Sequence, residues 1–382
     1  MEKVIILSGR IDSSNAHEEE LRLTSELDNY KGKIIIDVGD LKYISSAGLR
    51  VILKLKKMNK DTRIINCNSD VYEIFEMTGF TQMMDIKKEI KNISIDGCQI
   101  IDEGAYGIIY RIDSDTIVKV YKDPNSFEDI IKEKENAKKA FILGIPTAIS
   151  YDIVKVGDLY GSVFEMLDAK TYAVLLREGE DIDKLVRESV NILKLIHNTE
   201  NINNDLPSKK DETIKWAKFC IDYLPKDIGK KLLKMIKDIP EVNTIIHGDF
   251  HIKNIMHLKN ESLLIDMETI STGHPILELA CSYSIYEGFE CLDPKNPEKF
   301  LGIPRKLCRK FFDLTLKYYF DDKSNDEIND IRKMIKIICY MRLLRRQIKH
   351  FGLDDENAKK SIDYCRNYLI ENVPDINKLY FQ

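Results

Sequence analysis

IIHGDFHIKNIM (245–256), followed closely by SLLIDMET (262–269), decides how this chain is read. Asp249 and Asn254 stand five residues apart in it, and Asp266 lies on the next apolar run, across a Lys259-Asn260 turn. Apolar runs on both sides of such a turn predict a hairpin, NIMHLKNESLLIDM (254–267), which brings Asn254 and Asp266 to one face. Phosphoryl transfer needs a carboxylate to position the attacking hydroxyl and oxygen ligands to hold Mg2+ on the phosphates. Asp249 fits the first role; Asn254 and Asp266 fit the second. His247 and His251, four apart, raise the question of a metal pair, but Gly248 argues against a helix there and no HExxH is present.

Upstream, the chain predicts a β-rich lobe followed by a helical one. Short strands come first, at CQIID (98–102), GIIYRID (107–113) and TIVKVY (116–121). A Lys/Glu-rich helix over 127–144 is stopped by Gly144 and Pro146. Strands follow around 148–156 and 161–168. From about 172 the pattern is mostly helical, apart from the hairpin.

HGDFHIKN (247–254) resembles the catalytic loop of the aminoglycoside phosphotransferase and choline kinase group, relatives of protein kinases, and other pieces arrive in the order of that family. IIDEGAYGIIY (100–110) resembles its glycine-rich loop, IVKVY (117–121) places Lys119 on the third strand, and Glu133 has the spacing of the lysine's partner. VFEMLD (163–168) resembles the hinge. The resemblance covers about residues 97 to 375. It implies a two-lobed α+β kinase-like fold that uses ATP, or GTP, with Mg2+. Gly104 and Gly107 would let the backbone approach the phosphates, and Lys119, held by Glu133, would meet their charge. Main-chain groups from Glu165 to Leu167 would meet the purine.

Read alone, these pieces are bland. GAYG would be a β-turn, Lys119 a solvated strand lysine, and Glu133 one charge among several, with Glu135 its rival. GAYG is not a dinucleotide fingerprint, because a strand follows it where a helix is needed. There are also departures from the family. Asp102 occupies the first glycine position, Glu268 stands where protein kinases have Gly, and Glu278 stands where the family more often has Asp. No APE-like activation segment is present. Glu268 and the missing segment favour the small-molecule branch, whereas Asp102 sets an anion near the phosphates.

The first 88 residues alternate strand and helix, which predicts a small α/β layer. KIIIDV (33–38) reads as a buried strand between Gly32 and Gly39. Val51, Ile52, Leu55 and Met58 recur at helical spacing after Ser45-Ser46. GRIDSSNA (9–16), IIIDVGDLKYISSAGLRVIL (34–53) and VYEIFEMTGF (71–80) resemble a STAS domain of the anti-sigma factor antagonist type. That resemblance implies a phosphorylation site at Ser46, and Ser45 falls where well-known members carry Asp. A phosphate at a helix N-terminus meets free N–H groups and the positive end of the dipole. The plainer reading is that Ser45 or Ser46 caps the helix.

The expected organisation is a STAS-like domain over 1–88, a charged linker over 89–96, a kinase-like N-lobe over 97–168 and a helical C-lobe over 169–382. A length of 382 residues fits several domains. A hydrophobic share of 43% excludes a disordered chain. The net charge of −5 disfavours a dedicated nucleic-acid binder. The eight cysteines form no CxxC pair and read as free thiols in a cytoplasmic protein. MEKVIILSGRID (1–12) reads as a strand rather than a signal peptide, and no run is long enough to span a membrane.

Three functions fit these residues: a small-molecule phosphotransferase with a regulatory STAS domain, a signalling protein acting on Ser46 or another protein, or a nucleotide-sensing binding module. The expected partners are a small hydroxyl acceptor and, through the STAS part, an anti-sigma factor or other protein. An aminoglycoside would want acidic side chains in the acceptor pocket. A choline-like acceptor would want an aromatic cage, for which Tyr283, Tyr286 and Phe289 are available.

Overall fold

Ile34, Ile35 and Ile36 are all buried, as a parallel strand covered on both faces requires. They form the centre of a first unit comprising residues 1–96 and 153–161. The computed structural model describes residues 2–28, 30–104, 106–259 and 261–382. Asn260, second residue of the expected turn, lies outside them. The elements of the first unit are β1 (Glu2–Ile6), β2 (Gly9–Ile11), α1 (Ala16–Glu26), β3 (Lys33–Asp37), β4 (Leu41–Ile44), α2 (Ser46–Met58), β5 (Thr62–Cys67), α3 (Ser69–Met77), α4 (Phe80–Met83), β6 (Ile86–Lys88) and β7 (Lys91–Asn92). A parallel sheet runs β1-β3-β5-β6, and β2 pairs separately with β4.

Helix α2 buries Val51, Ile52 and Leu55. Met58, which the spacing puts on the same face, is 50% exposed in the last turn. The charged stretch read as a linker, 89–96, contains β7, which pairs in parallel with residues 154–155. So short and polar a strand has no apolar period to announce it.

The second unit comprises residues 97–152 and 162–382. It begins with β8 (Gln99–Glu103), β9 (Gly107–Arg111), β10 (Thr116–Tyr121), α5 (Phe127–Ile142), β11 (Asp152–Val156) and β12 (Leu159–Glu165). Residues 153–161 of β11 and β12 belong with the first unit. Strands β8, β9 and β10 are antiparallel neighbours, and β12 follows β10.

The remainder consists of β13 (Ala169–Thr171), α6 (Tyr172–Arg177), α7 (Ile182–Asn198), α8 (Lys209–Cys220), α9 (Lys226–Lys237), β14 (Ile245–Ile246), β15 (Ile255–Leu258), β16 (Glu261–Leu264), β17 (Ser271–Thr272), α10 (Pro275–Tyr286), α11 (Asn296–Leu301), α12 (Arg305–Tyr319), α13 (Asn325–Phe351) and α14 (Glu356–Asn372). The sequence reasons are local. Ser324 and Glu327 form a capping box that starts α13. Helix α10 is buried from Ile276 to Tyr286, which explains its almost continuous apolar sequence. All eight cysteines are free. Among the described residues, no helix is long and apolar enough to cross a membrane.

Candidate active site

The loop after β14 is fixed by a buried carboxylate. Glu278, on α10, is fully buried and accepts the main-chain N–H groups of His247 and Gly248, the latter at 3.0 Å from each oxygen. Such charge-assisted bonds hold a turn firmly in a dry interior. Thr269 closes the other side by donating Oγ1 to the His247 carbonyl at 2.8 Å. Gly248 has φ +85°, and a Cβ there would lie 2.6 Å from the Thr269 carbonyl oxygen. Only glycine fits this close approach.

Asp249 leaves this turn between two histidines. His251 Nδ1 accepts from the Lys253 N–H at 3.3 Å, so Nε2 carries the proton facing Asp249 Oδ2, 3.4 Å away. His247 Nδ1 accepts the Asp249 N–H at 3.3 Å and Nε2 faces the Ile265 carbonyl at 3.2 Å, so this ring braces the loop. Neither histidine is free to form the metal pair their spacing raised. Burial pushes the Asp249 carboxyl up, but the hydrogen bond from His251 and the electrostatic pull of His251, His247 and the Arg342 guanidinium outweigh it and hold it at about 2.

The hairpin of β15 and β16 pairs Ile255 with Leu264, and the Ile265 N–H donates to the Asn254 carbonyl at 3.0 Å. Asn254 and Asp266 therefore flank its open end. Asn254 Nδ2 bonds to Asp249, and Oδ1 accepts no hydrogen bond among the described residues, so it could serve as a metal ligand. Asp266 adopts φ 64°, and among the described residues nothing donates a hydrogen bond to its carboxylate. Two hard oxygen ligands fit Mg2+, which takes much of its shell from water and phosphate. Among the described residues no three His, Cys, Asp or Glu side chains gather as a metal cage.

Lys119 pairs with Glu133 at 3.2 Å, with 22% and 12% of the two side chains exposed. Tyr121 donates to Glu133 Oε2 at 2.7 Å and its ring lies under Lys119. Burial lowers the Lys119 ammonium, but Glu133 and then Asp266 overcome this and hold it above its ordinary value. The rival Glu135 is exposed. Asn136, one helical turn beyond Glu133, is buried and donates to the carbonyls of Met267 and Glu268 at 3.3 and 3.2 Å. It thereby links α5 to the segment carrying Asp266. Sequence reasoning missed it, though its spacing from Glu133 marks the same helix face.

Gly104 donates its N–H to the Gly107 carbonyl at 2.9 Å, and a Cβ on Gly107 would lie 2.8 Å from the Val120 carbonyl oxygen. Asp102 accepts from the next residue's N–H at 2.9 Å. Glu165 ends β12, the Met166 N–H donates to the Asp115 carbonyl at 2.7 Å, and the Leu167 N–H makes no hydrogen bond among the described residues. Partial burial of the Glu268 carboxyl, and then the neighbouring charges of Asp266, Glu133 and Asp129, raise it. Tyr283 and Tyr286 are buried against Phe312 and Phe311, and among the described residues neither makes a ring contact with Phe289. In the first unit, Ser45 caps α2 by accepting the Ala47 N–H at 3.2 Å, and Ser46 is exposed at the first helical position.

Comparison with known proteins bears out both resemblances. The profile of the phosphotransferase enzyme family, APH, matches residues 98–292, and the STAS domain profile matches residues 3–93. BtrV of Bordetella bronchiseptica, named as an anti-sigma factor antagonist, is 32% identical over 87 residues, which are 22% of this chain and 75% of that protein. Among solved structures, the gentamicin complex of APH(2")-IIa superposes with a TM-score of 0.46 at 15% identity, covering 81% of this chain and 98% of that one. A choline/ethanolamine kinase family protein from Mesorhizobium loti gives 0.48 at 11% identity, covering 73% and 92%.

Proposed function

Because the chain belongs to the phosphotransferase enzyme family and carries a STAS domain, we propose that it transfers the γ-phosphoryl group of Mg-ATP to a hydroxyl of a small molecule. The observation that carries this reading is the grouping of Asp249, Asn254 and Asp266 at one end of a hairpin. The ion pair of Lys119 with Glu133 supports the nucleotide side.

Mg-ATP, when bound, supplies the phosphoryl group and offsets its charge. Asn254 Oδ1 and Asp266 would hold the metal, and Lys119 would meet the phosphates. The Leu167 N–H and Glu165 carbonyl would meet the purine. Asp249 would accept a hydrogen bond from the acceptor hydroxyl and orient its oxygen. A carboxyl held at about 2 is a weak base, so orientation is its main contribution. A loose transition state allows this, because the hydroxyl need not lose its proton before attack. ADP release with an acceptor panel tests the reading; an Asp249→Asn protein with normal turnover would exclude the assigned role.

The STAS domain would recruit a protein partner, and Ser46 would be its phosphorylated residue. Exposure of Ser46 at the start of α2, beside a cap already supplied by Ser45, favours this second, signalling reading. ATP use and eight free thiols suit the cytoplasm. Intact mass after incubation with Mg-ATP, comparing wild type, Asp249→Asn and Ser46→Ala, tests self-phosphorylation. Equal labelling of the Ser46→Ala protein would exclude it at that position.

A further inference from the structure

A cleft of about 340 Å³ opens beside the catalytic loop, lined by Phe289, Leu292, Asn296, Lys299, Phe300 and Arg346. Phe300 connects it to Asp249: its ring meets the His251 ring edge-on at 5.3 Å, and His251 faces the Asp249 carboxylate. Lys253, on the loop itself, lies 5.1 Å from the same phenyl ring.

The charge of the cleft is the informative feature. No carboxylate lines it among the described residues. Three acidic groups on the adjoining segment are held in ion pairs, and a fourth, Glu298, accepts the Arg305 N–H at 3.4 Å. Glu287 pairs with Arg332 at 3.0 Å, Glu290 takes both Arg305 and Arg309, and Asp293 pairs with the lining Lys299 at 2.6 Å. The cations are not all matched. Arg346 lies over the Phe289 ring at 5.2 Å, and neither it nor Lys253 has a carboxylate partner among the described residues. One turn before Arg346 on α13, Arg342 donates to Ser284 at 3.2 Å, and its charge reaches Asp249. The charged groups that line the cleft are therefore cations, over a partly aromatic floor.

We infer that this cleft is the acceptor subsite and that it takes a small hydroxylated acid, a carboxylate or phosphate monoester with an apolar portion. The inference rests on the phosphotransferase reading of Asp249. A polycationic amine would meet Arg346 and Lys253 with no carboxylate in the cleft lining to offset them, and like charges at such range repel. An anion gains from the unpaired guanidinium, whose fork matches carboxylate and phosphate oxygens. The apolar portion would cover Phe289, Leu292 and Phe300.

Calorimetric binding to the full chain tests this with phenyl phosphate and 3-phenyllactate, against gentamicin and choline. The expected result is that both anions bind, more weakly as salt rises. The stronger of the two identifies the anionic group. Arg346→Ala should weaken them at least about fivefold, whereas Lys333→Ala, at the far end of the same helix, should not. Unchanged melting of Arg346→Ala would show that the loss is not one of folding. Preferential binding of gentamicin or choline, or anion binding indifferent to Arg346, would overturn the inference. Phenyl phosphate has no hydroxyl to phosphorylate, so its binding reports the cleft apart from turnover. Anion binding through Arg346 with no hydroxylated acid consuming Mg-ATP would sink the transfer reading and leave the cleft assignment standing. Phosphorylation of gentamicin would do the reverse.

Discussion

The amide of Asn254 reaches back to Asp249, donating Nδ2 to its main-chain oxygen at 3.0 Å and to its carboxylate at 3.3 Å. One side chain thus ties down both the main chain and the carboxylate of Asp249, the group proposed to orient the acceptor hydroxyl. Asn254→Asp keeps a ligand oxygen but removes the donor and sets a like charge beside Asp249. Phosphotransfer should fall by about 100-fold or more, measured as ADP release under saturating Mg2+. Activity close to wild type would mean that the tether does not matter.

Asp249 also links acidity to stability. Its carboxyl is held at about 2, below its ordinary 3.8. A depressed folded value contributes stability that is present above the unfolded value and lost as pH falls toward the folded one. Denaturant midpoints between about pH 5 and pH 2 should fall less steeply for Asp249→Asn than for wild type. The same ionisation predicts no acid limb from Asp249 in the free protein's kcat/KM profile between about pH 5 and 8.

Glu278 is the buried anchor of the loop that carries Asp249. Glu278→Ala leaves the N–H groups of His247 and Gly248 without their partner and should cost about 2–4 kcal/mol, read from denaturant unfolding. Gly248→Ala should cost about 2 kcal/mol or more, from its positive φ and the contact with Thr269. Either change should lower turnover more than surface variants of equal stability.

The pair of Lys119 and Glu133 is two-sided, because Tyr121 bonds to the same carboxylate. Lys119→Ala should weaken transfer by an order of magnitude or more, about 10-fold to 1,000-fold. Tyr121→Phe should be milder, because Lys119 keeps its partner. A larger loss for Tyr121→Phe in the same ADP-release assay would show the hydroxyl to be the dominant support.

In the STAS domain the two adjacent serines should separate. Ser45→Ala removes a cap and should cost about 1 kcal/mol. Ser46→Asp places an anion at the helix N-terminus and should change stability by less than about 1 kcal/mol, in the favourable direction. Thermal melting of the full-length variants checks both.

Much of the site was legible in the sequence because short motifs carry their own geometry. HGDFHIKN and the following LLIDM are close in the chain, so a single hairpin brings Asp249, Asn254 and Asp266 together. Lys119 and Glu133 were legible through strand and helix order. Asn136 was not, because its partners are main-chain carbonyls more than a hundred residues away. Met58 shows the limit of periodicity, since a helix end can project past the core that its spacing matches.

The sequence by itself determined the order of the parts, the identity of the chemical groups and the local turns that aim them, because these follow from residue type and near-neighbour spacing. Only the tertiary structure decided which side chains meet from distant segments. It set Glu278 under the loop, chose Glu133 over Glu135, buried Tyr283 and Tyr286 in the core and left Arg346 without a carboxylate partner among the described residues. Burial and long-range pairing depend on how whole helices pack, and no local pattern encodes which charge is left over.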